Sequence, residues 1–113
     1  MHEMALCESI LQTLESEAVR QSFERVSVVW LEIGALASVE EEALRFSFDV
    51  VARDSLADGA RLEIIHTPGV AWCMHCARPV NIERRFDPCP DCGGYQLQVT
   101  GGDEMRIREL EVK

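Results

Sequence analysis

Along the first twenty residues, apolar positions Met4, Cys7, Leu11, Leu14 and Ala18 recur at spacings of three and four, and Leu6 and Ile10 widen the stripe. That period lays them on one face of a helix, expected from about Glu3 to Ser22. The stretch Val26–Ile33 has another character. It is rich in β-branched and aromatic residues and stops at Gly34, which predicts a strand. Val29, Leu31 and Ile33 share one face and Val28, Trp30 and Glu32 the other, so the strand is expected to be central in its sheet. Ser38-Val39-Glu40-Glu41 then reads as a capping box, with Ser38 as N-cap and Glu41 three residues on. Ala43, Phe46 and Val50, flanked by Leu44 and Val51, predict a second amphipathic helix that ends near Asp54, ahead of the Asp58-Gly59 turn. Leu62–His66 and Met105–Val112 complete the strands. In the last one the apolar parity switches from Met105 and Ile107 to Leu110 and Val112, which predicts a bulge or a change of buried face near Glu109.

Between the second and third strands lies a cysteine-rich segment bounded by Thr67-Pro68-Gly69 and Gly101-Gly102, punctuation that reads as hinges. The expected architecture is α+β: two helices on a small mixed β-sheet, with an inserted four-cysteine zinc-ribbon-like module. The division is 1-68 plus 102-113 for the α/β domain and 69-101 for the zinc-binding domain.

Cys73-Met74-His75-Cys76 and Cys89-Pro90-Asp91-Cys92 give the spacing C-x₂-C-x₁₂-C-x₂-C. Two intervening residues let both sulfurs of a pair reach one ion, and Gly93-Gly94 can supply the positive φ such a turn needs. Soft thiolates in a tetrahedral set favour zinc, and four filled positions leave no place for a catalytic water, so the site reads as structural. A rubredoxin-like iron site uses the same ligands and is the electron-carrier alternative. A segment of this size cannot fold on buried surface alone, so the metal is expected to supply much of its folding energy.

Composition narrows the setting. The chain has 113 residues and a net charge of −9, distributed as −8 over residues 1–69, 0 over 70–100 and −1 over 101–113. An acidic surface repels phosphate backbones, and no basic stripe offsets it, so nucleic acid is not an expected partner. No apolar run spans a membrane and the opening residues lack the marks of a secretory signal. The odd count of five cysteines, four of them clustered, argues against a disulfide framework and for a reducing compartment, the cytoplasm. No Gly-rich phosphate loop or nucleophile–base motif is present, so the chain is not expected to be an enzyme. His75, inside the first cysteine pair, reads as a solvent-facing imidazole, His66 as a structural histidine and Cys7 as a small buried hydrophobe.

The start of the chain is chemically suggestive. The Met1 amine with the backbone nitrogen and imidazole of His2 can close fused chelate rings about one ion, and the Glu3 amide could complete a square plane. That nitrogen-rich set suits Ni(II) or Cu(II). With Met1-His2-Glu3, the Ile33-Gly34 strand end, Val39-Glu40 opening the second helix, the paired cysteine knuckles and the short last strand, the chain resembles the HypA/HybF family of hydrogenase maturation proteins along essentially its whole length. The resemblance implies a nickel metallochaperone with two metals: nickel at Met1, His2 and Glu3, and zinc at Cys73, Cys76, Cys89 and Cys92. It also implies work with the HypB GTPase, transfer of nickel to the large-subunit precursor of [NiFe]-hydrogenase, and in some organisms service to urease through its accessory proteins. Glu40 matches a family position that carries an acidic residue near the nickel, though a favourable charge in a helix's first turn already explains it. Some relatives carry histidines just after the knuckles; here Ala77 and Gly93 stand there. A protein of this kind is expected to act as a monomer or homodimer. Because amine and imidazole must lose protons to bind, nickel affinity is expected to fall below about pH 6.5. The competing reading is a zinc-ribbon interaction module, with His2 incidental.

Overall fold

The computed structural model describes residues 2–113. In chain order the elements are α1 (Glu3–Gln21), β1 (Val26–Gly34), α2 (Glu41–Ala52), β2 (Arg61–Thr67), β3 (Gly69–Cys73), β4 (Arg78–Ile82), β5 (Leu97–Gly101) and β6 (Met105–Val112). The strands form two sheets, ordered β2-β1-β6 and β4-β3-β5. The chain divides into two compact units. The first joins the stretch up to Leu31 with Val39–Ile64 and Ile107–Lys113; the second joins Glu32–Ser38 with Ile65–Arg106.

In the first unit α1 buries Cys7, Ile10 and Leu14, the centre of the expected stripe, while Met4 is exposed. The helix closes at Ser22, which turns left-handed (φ 58°) and donates its N–H to Ala18 O. β1 is the middle strand, with Val29, Leu31 and Ile33 buried and Trp30 and Glu32 half-buried on its other side. The sheet is mixed, as expected. β1 and β2 end side by side, where the Ala35 N–H donates to Thr67 O, so they run in the same direction. β6 runs the other way: it exchanges bonds with Arg25 through Lys113 at its end and accepts from the Gly34 N–H through Glu104 at its start. Along β6 the half-buried residues are Met105 and Ile107, then Leu110, with Arg108 and Glu109 both exposed between them. The anticipated change of buried face falls there.

α2 departs from expectation in two ways. Ser38 adopts φ 56° and lies two positions before the N-cap, which is Glu40, so the predicted capping box does not form. The buried face is Leu44, Ser47, Phe48 and Ala52 rather than Ala43, Phe46 and Val50, and Phe46 is 69% exposed. Both sets recur at helical spacing, so periodicity alone does not choose between them. Burying Leu44 and Phe48 together removes more apolar surface from water than burying Ala43 and Phe46 would, and small Ser47 fits between them.

The second unit holds three strands that the alternation pattern did not disclose. β3 pairs antiparallel with both β4 and β5, with Ala71 opposite Val80 on one side and Val99 on the other. Its core consists of Ala71, Cys73, Val80, Ile82 and Cys89 together with Leu36 from the loop after β1. The Leu36 N–H donates to Gly102 O at 2.8 Å. Gly102 has φ 74°, and a Cβ there would overlap Pro68 O. The Pro/Gly punctuation expected to act as hinges is therefore used for close backbone packing within this unit.

Candidate metal centre

The two cysteine pairs fold alike, for the same local reason. In the first, the Ala77 N–H donates to Cys73 O at 2.8 Å; in the second, the Gly93 N–H donates to Cys89 O at 2.8 Å. The residue four beyond the first cysteine has positive φ in both, 53° at Ala77 and 73° at Gly93. Glycine carries that conformation at little cost. Alanine is strained by it, of order 1–3 kcal/mol, and persists because the surrounding structure fixes it. β3 delivers Cys73 and the turn into β4 delivers Cys76, while the segment before β5 supplies Cys89 and Cys92.

All four sulfurs lie within 4.8 Å of one another. Cys73 Sγ and Cys92 Sγ are 3.8 Å apart, and Cys76 Sγ and Cys89 Sγ 4.0 Å. A disulfide would need about 2 Å. A tetrahedral ion with metal–sulfur bonds near 2.3 Å sets its sulfurs about 3.8 Å apart, so the donor set fits such an ion. Backbone amides already point at the sulfurs: Cys76 N–H at Cys73, Asp91 N–H at Cys89 and Gly94 N–H at Cys92, each at 3.4 Å. These donors stabilise thiolate charge. The Cys76 amide holds the Cys73 thiol down at about 7, whereas burial pushes Cys76 up to about 12. A bound cation favours the thiolate form at every ligand. His75 is exposed in the first pair, as expected, and His66 is exposed near the end of β2.

The residues expected at the nickel site lie in the first unit. Met1 falls outside the described residues. His2 is exposed and is the N-cap of α1, with extended backbone (φ −80°, ψ 110°) and no capping bond from its side chain. Its carbonyl accepts from the Leu6 N–H at 3.1 Å, which starts the helix. Glu3 opens α1 half-buried, and its Oε2 accepts the Glu40 N–H at 3.4 Å. That contact brings the first turn of α1 to the N-cap of α2, and so places Glu3 and Glu40 side by side. One helical turn further along α1, the Cys7 thiol is fully buried and donates to Leu44 O at 3.4 Å. Burial, with the Glu3 charge adding to it, pushes this thiol up to about 11. Among the described residues the four cysteines form the one cluster of three or more metal-ligating side chains.

Sequence reasoning missed Leu36 and the three strands that frame the cysteines. Leu36 stands alone between Gly34 and Ser38, outside any periodic run, so only the tertiary structure reveals it as part of the metal module's core.

A profile of the family described as "Hydrogenase/urease nickel incorporation, metallochaperone, hypA" matches residues 1–112. The chain is 65% identical over 112 residues to the hydrogenase maturation factor HypA of Alkalilimnicola ehrlichii, with 99% of each chain covered. It is 62% identical over 112 residues to hydrogenase maturation factor HypA 2 of Bradyrhizobium diazoefficiens, again over 99% of each. The solution structure of the Ni metallochaperone HypA from Helicobacter pylori superposes with a TM-score of 0.74 at 23% identity, covering 99% of this chain and 97% of that one, and shares the fold. The zinc-ribbon reading without a nickel role finds no support in these matches.

Proposed function

The chain belongs to the HypA family of nickel metallochaperones for hydrogenase maturation, and on that premise we propose a division of labour between two metals. Zinc is the resident ion, held by Cys73, Cys76, Cys89 and Cys92. Nickel is the cargo, held by Met1, His2 and Glu3, with Glu40 at the margin of the site. The observation that carries the first half is the spacing of the four sulfurs, 3.8 to 4.0 Å within the pairs Cys73–Cys92 and Cys76–Cys89, which suits a closed tetrahedral thiolate site. For the second half, the His2 imidazole is exposed and takes no part in capping α1, so it is available to a metal.

The two roles need opposite properties. Cys73 and Cys89 are part of a packed core, so releasing their ion would disrupt that core. His2 is exposed and its side chain makes no capping bond, and such a helix end opens locally at small cost, which lets a cargo ion leave without unfolding the protein. Copper(II) outcompetes nickel(II) at nitrogen donors, so specific handover between proteins supplies the selectivity. The protein is thus a carrier and not an enzyme. It works in the cytoplasm, where thiols stay reduced. It collaborates with the HypB GTPase and passes nickel to the [NiFe]-hydrogenase large-subunit precursor, with urease accessory proteins as further clients. Functionally the division is 1-68 plus 102-113 for nickel and 69-101 for zinc.

X-ray absorption at both metal edges tests this division. Protein loaded with one zinc and one nickel should show zinc surrounded by four sulfurs and nickel by nitrogen and oxygen donors. Sulfur in the nickel shell would refute the assignment.

A further inference from the structure

The loop from Glu83 to Asp87, within the second unit, holds an aromatic ring out in water. Asp87 Oδ2 accepts the N–H groups of Glu83 and Arg84 at 3.2 and 2.9 Å, and the Asp87 N–H closes the turn onto Arg84 O at 3.2 Å. The third residue of that turn is Phe86, at φ 71°, a conformation in which glycine is the usual choice. Its ring is 92% exposed. A large apolar side chain kept in water by a backbone that costs energy is an arrangement that folding alone does not reward. Phe86, Tyr95, Ile82, Leu97 and Val99 line a groove of about 160 Å³, and Arg85 contributes to its wall. Tyr95 is 72% exposed.

Charge decides what fits the groove. Residues 70–100 carry three basic side chains, Arg78, Arg84 and Arg85, and three acidic ones, Glu83, Asp87 and Asp91. Arg78 pairs with Asp91, and Asp87 is committed to the backbone of the turn. Glu83 is exposed and does not line the groove. Arg84 and Arg85 are exposed, and among the described residues neither guanidinium is in an ion pair. The groove thus offers apolar walls and a volume that suits one bulky side chain, beside two unneutralised cations. A bilayer surface would receive a projecting ring but leave a concave groove unfilled, and a chain of net charge −9 is repelled by anionic lipid. A peptide segment fills the groove and meets the charge.

We infer that this groove is a docking site for an acidic segment of another protein, which seats one bulky aromatic or aliphatic side chain against Phe86 and Tyr95 and sets its flanking carboxylates against Arg84 and Arg85. The apolar anchor supplies most of the affinity, and the charges set orientation and encounter rate. A planar guanidinium can hold a carboxylate through two parallel hydrogen bonds, so arginine suits this task better than lysine. Such a site gives the cysteine module a part in recognition besides holding its ion. The groove includes none of the four cysteines and nothing of α1, so its failure would leave the metal assignments untouched.

The test is to titrate the isotope-labelled, zinc-loaded full chain with a synthetic peptide and follow the amide chemical shifts. The peptide carries one phenylalanine between two pairs of glutamates, with glycine and serine at its ends. The shifts should saturate, centre on residues 83–87 and 95–97, and weaken in high salt. Phe86→Gly should raise the dissociation constant about tenfold or more. The same variant should melt no lower than the wild type, because glycine relieves the positive φ, and this separates a lost contact from a lost fold. Arg84→Glu/Arg85→Glu should lose this peptide and gain one with lysines in place of the glutamates. Shifts that never saturate, binding indifferent to these substitutions, or binding only to phosphatidylserine–phosphatidylcholine vesicles would overturn the proposal.

Discussion

Cys7 illustrates how a single position is fixed by its neighbours. It lies one turn beyond Glu3 on α1, fully buried, with its thiol bonded to Leu44 O of α2. A charged sulfur there would lose its water and face the Glu3 carboxylate, so the proton is held to about pH 11. An exposed thiol in the unfolded chain releases its proton near 9. Between those values the folded state binds the proton and the unfolded state does not, so stability is present below pH 9 and declines as pH rises toward 11. Chemical denaturation of the wild type between pH 8 and pH 10.5 should show that decline, and Cys7→Ala should show a shallower one. Equal slopes in the two proteins would refute this account of Cys7. Its role as a small buried hydrophobe was readable from its place in the apolar stripe; its proton's stability required the three-dimensional surroundings.

Among the elements, legibility followed the strength and uniqueness of each pattern. α1 has one apolar stripe, and β1 is apolar on both sides, so each was legible to within a residue or two. α2 has two stripes of equal period, and the choice between them belongs to tertiary packing. Its start was misread because Ser38 has the chemistry of a cap but adopts a left-handed conformation, while the Glu40 N–H is met by Glu3 from α1. The strands β3, β4 and β5 are short and interrupted by the cysteine turns, so alternation never persists long enough to declare them. The buried face of α2 can be checked directly. Phe48→Ala should cost about 3–5 kcal/mol, because Phe48 is almost wholly buried. Phe46→Ser should change monomer stability by less than about 0.5 kcal/mol, because Phe46 is largely in water. Urea denaturation that reverses this order would show the helix to be rotated.

At the scale of the whole molecule, a 113-residue chain of net charge −9 supports two units with different sources of stability. The first rests on apolar residues buried along α1, β1 and α2. The second has a small core in which two of the six buried residues, Cys73 and Cys89, are among the four proposed metal ligands. Removing the ion therefore takes away a structural centre and leaves four unbound thiols in its place. Chelation under reducing conditions should abolish amide protection across residues 69–101 while the helical circular dichroism of α1 and α2 largely persists. Amide protection retained without metal would mean that packing alone holds the module. No helix among the described residues is long and apolar enough to cross a membrane.

The central claim is that nickel and the four-cysteine metal occupy separate sites, the first at the start of α1. Titration of untagged, zinc-loaded protein with Ni(II), in parallel with His2→Ala, tests it most directly when nickel and zinc stoichiometry are both followed. The expected result is one nickel per chain in the wild type, none in the variant, and zinc retained in both. Nickel binding that survives His2→Ala while zinc is released would place nickel at the cysteines and contradict the account.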